Sequence, residues 1–211
     1  MSEDTNRVLT LSASERENVK KTLWEAARQK ALSCRQCPLS ETRSKVVFGD
    51  GDPDSKLMFI GEGPGADEDA EGMPFVGRAG KLLTQILTAA GISRQDVYIT
   101  NIVKCRPPEN RVPSPQETVL CNKHLQTQIM LINPALIVLL GNTPTRWIMQ
   151  TNEGITKLRG RWYDWRGIRV MPMFHPSYLL RNASSKEGSP KHLTWIDIQE
   201  VKRAWDEVRG K

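Results

Sequence analysis

The chain has 211 residues, and its 30 Lys and Arg outnumber its 24 Asp and Glu, which gives a formal net charge of +6. No stretch approaches the roughly 18 consecutive apolar residues of a membrane span. The first residues lack the basic-then-apolar pattern of a secretory signal. We therefore expect a cytoplasmic protein with no membrane contact, and the positive balance favours a polyanionic partner.

The N-terminal part is predicted to contain one helix. Residues 1–12 are polar and are expected to be frayed or disordered, ahead of a single domain over residues 13–211. A helix is predicted from Ser14 to about Ser33, because Ser14 and Glu17 have the spacing of a capping box.

A buried strand that runs into a glycine turn is predicted from Leu57. Leu57–Ile60 is a short apolar run, and Gly61-Glu-Gly-Pro-Gly65 follows it. Glycines let the backbone turn sharply and approach a ligand closely. The spacing does not match G-x-G-x-x-G, and the Glu62 carboxylate would repel a phosphate, so a dinucleotide site is disfavoured. Ala66–Pro74 is predicted to be irregular, and Gly77–Ala90 to be a helix.

Three more strands are predicted, at Val97–Thr100, Ala135–Leu140 and Ile168–Met171. Helices are predicted from Ser114 to about Ile132, over about Thr143–Gln150 and over about Leu193–Val208, with a loop over Ile155–Tyr163. Alternating strands and helices predict an α/β fold with a parallel sheet. The C-terminal ends of parallel strands share one edge, so Glu62, Asn101 and His175 should converge there.

The four cysteines are Cys34, Cys37, Cys105 and Cys121. In a protein expected to be cytosolic, they favour metal binding or redox chemistry over disulfides. Zinc ribbons usually carry two CxxC knuckles, whereas this chain has one. The irregular spacing also suits an iron–sulfur cluster. From spacing alone zinc and iron–sulfur remain equally open, beside a chance CxxC with two buried cysteines.

Phe75 lies among glycines and prolines, which suits stacking on a planar ring as much as core packing. Basic side chains flank the same predicted edge, as phosphate contacts require. They are Arg78, Lys81, Lys104, Arg106, Arg111, Arg159, Arg161 and Arg181.

With these motifs in order, the chain resembles the family 4 uracil-DNA glycosylases, the iron–sulfur branch of their superfamily. The resemblance is carried by Gly61–Gly65, Pro74–Gly80, Thr100–Pro108, Leu140–Gly141 and His175–Arg181. It implies a three-layer α/β/α fold around a central four-stranded parallel sheet. It also implies a [4Fe-4S] cluster held by Cys34, Cys37, Cys105 and Cys121.

The resemblance implies a DNA repair enzyme that flips deoxyuridine out of the helix and hydrolyses its N-glycosidic bond, releasing uracil. Asn101 would read the base edge, Phe75 would stack on the ring, and His175 would donate to O2. A carboxylate would position the water; Glu62 and Glu68 are both candidates. Relatives in other branches carry an aspartate at the position that corresponds to Gly63. In this chain, Gly63 is expected to be a substrate-binding position.

The resemblance also implies DNA contacts and partners. Lys104, Arg106 and Arg111 are expected to contact DNA, and Tyr178-Leu-Leu-Arg181 to wedge into the base stack. The expected partner is uracil-containing DNA, single- or double-stranded. A sliding clamp or another repair protein is a further candidate partner. We expect a nucleoid-associated monomer. Two rival interpretations are a non-catalytic damaged-base or DNA-end sensor and a zinc-dependent nucleotide-binding protein.

Overall fold

The structure is a computed structural model that describes residues 12–210. The prediction of a frayed segment over residues 1–12 lies outside this range except at Ser12, which caps the first helix. Helix α1 spans Ala13–Leu32, and the Ser12 hydroxyl accepts the Glu15 backbone N–H while the Glu15 carboxylate accepts the Ser12 N–H. The predicted cap at Ser14 and Glu17 is therefore wrong by two residues. The S-x-x-E spacing occurs twice in this stretch, and the earlier pair forms the capping box.

One six-stranded sheet forms the middle of the fold. Its strands are β1 (Asp50–Gly51), β2 (Leu57–Gly61), β3 (Tyr98–Asn101), β4 (Leu136–Leu140), β5 (Tyr163–Trp165) and β6 (Ile168–Met173), in the order β1-β3-β2-β4-β6-β5. The central four strands are parallel, as predicted. The two antiparallel edge strands, β1 and β5, were not predicted, because two and three residues are too few to show a pattern.

Helices connect the strands and cover both faces of the sheet. They are α2 (Leu39–Thr42), α3 (Ala66–Glu71), α4 (Arg78–Ala89), α5 (Pro115–Ile132), α6 (Asn142–Met149), α7 (Ile155–Leu158), α8 (Pro176–Arg181) and α9 (Pro190–Arg209). Two short 3-10 helices lie at Arg94–Asp96 and Pro108–Asn110. Within residues 12–210, no helix has the length and apolar character needed to cross a membrane.

Two predicted loops contain short helices. The stretch predicted as irregular before Pro74 forms α3, because the Glu68 carboxylate closes its first turn on the Gly65 N–H. The stretch predicted as a loop from Ile155 begins with α7, whose Ile155 N–H donates to the Asn142 side chain at 2.9 Å. Both helices are too short for periodicity to reveal them.

Alternate residues of β2 contribute to two apolar layers. Leu57 and Phe59 pack with residues of α4 and α9, such as Leu83 and Trp205. Met58 and Ile60 pack on the other side of the sheet, with residues of α5 such as Leu125. Each large side chain that is fully buried contributes about 1.5–3 kcal/mol. These two layers make the fold the three-layer α/β/α arrangement that was predicted.

Candidate active site

A cleft of about 970 Å³ opens at the C-terminal edge of the central strands. The β2–β3 register sets Gly61 opposite Asn101, so the turn after β2 lies beside the end of β3. All six predicted catalytic and substrate-binding residues line this cleft. They are Glu62, Gly63, Glu68, Phe75, Asn101 and His175.

Asn101 carries a buried acceptor without a partner. The residue is only 2% exposed, and its Oδ1 accepts no hydrogen bond within residues 12–210. An unpaired buried polar group costs about 1–3 kcal/mol. A Cβ atom on Gly61 would lie 2.4 Å from this oxygen, so glycine is needed at that position. Asn101 is therefore held in place with its hydrogen-bonding capacity unused.

Phe75 is fixed in a strained backbone conformation on the cleft wall. Its φ is 53°, in the left-handed region, which costs on the order of 1–3 kcal/mol for such a residue. Its ring centroid lies 5.7 Å from that of His175 with an interplanar angle of 38°. A Cβ on Gly80 would lie 1.9 Å from the Phe75 carbonyl oxygen, so only glycine lets α4 pass this close.

His175 caps α8, and this contact defines its tautomer. Its Nδ1 accepts the Ser177 backbone N–H at 3.1 Å and lies 2.8 Å from the Ser177 hydroxyl. Burial, and secondarily the charge of Arg181, lower the pKa of His175 to about 4. The ring is therefore neutral at pH 7. Because Nδ1 is an acceptor, Nε2 carries the proton and is the donor available to a ligand.

The two candidate carboxylates differ in their partners. Glu68 accepts three backbone N–H groups, from Gly65 at 3.1 Å, Val76 at 3.0 Å and Gly77 at 2.9 Å. Glu62 accepts a short hydrogen bond from the Thr143 hydroxyl through Oε2. Within the described part of the chain its other oxygen, Oε1, accepts no hydrogen bond. Glu68 thus fixes the backbone on both sides of the cleft loop, whereas Glu62, which also lines the cleft, keeps one oxygen without a hydrogen bond among the described residues.

Several other residues that line the cleft were not predicted. They are Asn110, Asn142, Thr143, Arg146 and Thr156. Asn110 has a left-handed φ of 57°, and its Oδ1 accepts from Arg106 Nε at 2.8 Å. An asparagine after two prolines is a sequence signal for such a turn. No sequence pattern marks Thr143 or Arg146, because the packing of α6 alone brings each of them to the cleft.

The predicted DNA contact of Lys104 is wrong. Lys104 is 1% exposed, and its ammonium group lies inside the protein. Nζ donates to Thr100 Oγ1 at 2.5 Å, to the Asn101 carbonyl at 2.8 Å and to Gln128 Oε1 at 2.6 Å. These three acceptors use all three of its N–H groups, so Lys104 is buried behind the end of β3.

The other residues predicted to contact DNA differ in their exposure to solvent. Leu179 is 1% exposed and belongs to the core, so its prediction as part of the wedge is wrong. Leu180 is 39% exposed, and Tyr178 and Arg181 line the cleft. Arg106 is half-buried. Arg111 is exposed, and it forms a bidentate ion pair with Glu117 that lowers the pKa of that carboxyl to about 2.

The four cysteines surround one small cavity behind the cleft. Cys34 and Cys37 follow α1, Cys105 lies beyond β3, and Cys121 is on α5. Arg43 Nη1 donates to Cys105 Sγ at 3.0 Å, and the Lys104 N–H donates to Cys121 Sγ at 3.3 Å. Such donors suit anionic sulfur ligands. Among the described residues, however, no three His, Cys, Asp or Glu side chains are arranged to hold a metal ion.

His124 also lines the cysteine cavity. It is 5% exposed, and its Nε2 has no hydrogen-bond partner in the part of the chain that the structure covers. Burial is the main cause that lowers the pKa of this ring to about 4, followed by the charges of Lys123 and Lys104. A neutral imidazole with an unused nitrogen therefore lies at the cysteine cavity.

Comparison with known proteins identifies the family of the chain. The model of the uracil DNA glycosylase superfamily matches residues 48–199. The type-4 uracil-DNA glycosylase of Thermotoga maritima is 49% identical over 86% of this chain and 93% of its own length. Those of Sulfurisphaera tokodaii and Archaeoglobus fulgidus are 42% and 40% identical, over 77% and 74% of this chain and 78% and 82% of their own. The chain belongs to the uracil DNA glycosylase superfamily and, within it, to the type-4 uracil-DNA glycosylases.

Proposed function

We propose that the protein removes uracil from DNA by hydrolysing the N-glycosidic bond of an extruded deoxyuridine, leaving an abasic site. The observation that carries this proposal is the buried, unpaired Asn101 Oδ1 at the base of the cleft. A buried acceptor of this kind is satisfied when a ligand supplies an N–H group. Uracil supplies one at N3.

The base would be read by three side chains. Asn101 accepts from N3–H through Oδ1 and donates to O4 through Nδ2, whereas cytosine presents the reverse pattern and is refused. Phe75 stacks on the ring. His175 donates from Nε2 to O2 and stabilises the negative charge that develops on the leaving uracil. A neutral imidazole is sufficient for this step, because the proton stays on Nε2.

The water would be positioned by Glu62 rather than Glu68. Glu68 is occupied by three backbone N–H groups. Glu62 has a free oxygen, and Thr143 orients its other one. A carboxylate near the sugar also stabilises the oxocarbenium-like transition state. Asn110 lines the same cleft and offers an amide as a second contact for the water.

A [4Fe-4S] cluster would occupy the cavity between Cys34, Cys37, Cys105 and Cys121. Four thiols around one cavity and two donors to sulfur support this assignment. When bound, the cluster supplies a cross-link between the end of α1, the segment after β3 and α5. No step of the hydrolysis uses it.

DNA would cross the mouth of the cleft. Arg111, Arg146 and Arg181 are exposed there or line it, and can contact phosphates. Leu180 would occupy the space left by the extruded nucleotide. We further propose a single-domain, cytoplasmic, nucleoid-associated monomer. A sliding clamp or another repair protein is a candidate partner.

The test uses labelled duplexes with one U·G, U·A or T·G pair, followed by alkaline cleavage. We expect strand breaks at uracil only. Asn101→Ala should lower kcat/KM by about 10–100-fold, the cost of one buried hydrogen-bonded contact. Asn152→Ala, which removes an exposed asparagine outside the cleft, is the matched control.

Glu62→Gln should lower kcat by about 100-fold with little change in KM. A larger loss of kcat in Glu68→Gln, with Glu62→Gln near wild type, would reverse the two assignments. Tight binding of uracil-containing duplex without any alkali-labile site would instead favour the sensor interpretation.

A further inference from the structure

We propose that Arg94 is a positioning residue for uracil excision, which holds Phe75 in place for stacking on the base. The inference rests on the proposed function, because it assumes that Phe75 contacts uracil. Arg94 belongs to the 3-10 helix Arg94–Asp96 and does not line the cleft. No motif that carries the family resemblance includes it. Its role follows from its contacts alone.

The guanidinium of Arg94 binds two successive backbone carbonyls in the loop of residues 72–77, which we call the Phe75 loop. Nη2 donates to the Pro74 oxygen at 2.6 Å, and Nη1 donates to the Phe75 oxygen at 3.2 Å. Thr84 Oγ1 and Asp50 Oδ2, each 3.4 Å from one of these nitrogens, orient the group. The rigid fork of arginine suits such paired acceptors, and the point charge of lysine does not reproduce it.

Glu68 holds the same loop from the other end. Its Oε1 accepts the N–H groups of Val76 and Gly77, the two residues after Phe75. A cation therefore binds the carbonyls of Pro74 and Phe75, and a carboxylate binds the next two N–H groups. Each charge meets the end of the peptide dipole that it stabilises.

This two-sided clamp holds the backbone of Phe75, which is strained. Phe75 has a φ of 53°, and strained conformations persist only where their surroundings fix them strongly. The ring also has little room, since a Cβ on Gly61 would lie 2.6 Å from its Cζ. A shift of about 1 Å in a substrate-positioning group lowers rates markedly. We infer that Arg94 acts on the reaction through Phe75.

A double-mutant cycle separates this role from general stabilisation. We would measure kcat/KM on a single-stranded oligonucleotide with one dU for wild type, Arg94→Met, Phe75→Ala and the double variant. Arg94→Met should lose about 10–100-fold in the presence of Phe75 and less than about 2-fold in its absence, because coupled residues are not additive. Arg209→Met is the matched control, since Arg209 pairs with Asp96 of the same 3-10 helix but does not contact the loop.

Each outcome decides the question. Equal losses in both backgrounds would overturn the role of Arg94 and leave the proposed function intact. Full activity of Phe75→Ala would overturn both the stacking and the clamp, and a wild-type protein that releases no uracil would overturn the proposed function itself. If Arg94→Met does not fold, Arg94→Lys replaces it in the same cycle and is judged by the same criterion. Lysine keeps the charge but cannot span both carbonyls.

Discussion

The imidazole of His175 and the backbone of Ser177 are locked together by a hydrogen bond of 3.1 Å in which Nδ1 is the acceptor. The bond caps α8 and sets the proton on Nε2. One contact therefore serves both helix formation and the chemistry of the site. It also ties the protonation of His175 to the stability of the protein.

Acidification should destabilise the protein through His175. Its pKa is about 4 in the folded chain against an ordinary value of 6.5, so the unfolded chain binds more protons between these values. The free energy of unfolding should be insensitive to this group above pH 6.5. It should then fall by about 1–3 kcal/mol as the pH approaches 4. Denaturant unfolding at a series of pH values measures this.

The tautomer can be checked directly. A long-range 1H–15N spectrum of the histidine side chains at pH 7 should show His175 protonated on Nε2 and unprotonated on Nδ1. The reverse tautomer, or a charged ring at neutral pH, would contradict the geometry at Ser177.

Gly61→Ala should damage the pocket more than the fold. The new Cβ would lie 2.4 Å from Asn101 Oδ1 and 2.6 Å from Phe75 Cζ, so both groups that we propose to contact the base must move. We expect kcat/KM on dU-containing DNA to fall by about 10–100-fold. Gly154→Ala is the control, because its nearest contact would be an ordinary 3.8 Å. Equal activity of the two variants would show that the pocket tolerates the displacement.

The sequence predicts the convergence of Glu62, Asn101 and His175, because each follows a strand and parallel strands end at one edge. It does not predict the burial of Lys104. The basic residues nearest to it in the sequence, Arg106 and Arg111, are half-buried and exposed. The burial of Lys104 depends on Gln128 of α5, 24 residues away. The contact of Arg94 with the Phe75 loop likewise spans 19 residues and has no local pattern. Contacts of this range appear only once the elements pack.

Lys104→Met should leave the electrostatic attraction to DNA unchanged. The buried ammonium makes three internal hydrogen bonds, so its loss should cost stability and disturb the end of β3. The Lys104→Met variant should keep the wild-type slope of log DNA affinity against log salt concentration. Arg181→Ala, which removes an exposed charge at the cleft, should reduce that slope by about 1. Binding titrations at several salt concentrations compare the two variants. A smaller slope for Lys104→Met would place its charge on the DNA side.

Loss of one of the four cysteines should weaken the fold around their cavity. Cys121→Ser removes one sulfur from the cavity that joins α1, the segment after β3 and α5. We expect purified wild-type protein to absorb near 400 nm, as iron–sulfur proteins do at about that wavelength. The variant should lose this absorbance and several degrees of Tm. Unchanged Tm with the absorbance gone would argue that the cross-link is not structural.

The two leucines of α8 should separate stability from duplex opening. Leu179 is buried, so Leu179→Ala should lower the free energy of unfolding by about 2–5 kcal/mol. It should change kcat/KM on a U·A duplex and on single-stranded DNA by the same factor. Leu180 is exposed beside the cleft, so Leu180→Ala should leave stability within about 0.5 kcal/mol of wild type. Its activity should fall on a U·A duplex and hold on single-stranded DNA, because only the duplex has a base stack to keep open. Parallel measurements of kcat/KM on the two substrates decide this. An equal fall on both would mean that Leu180 contacts the extruded nucleotide itself rather than the helix it leaves.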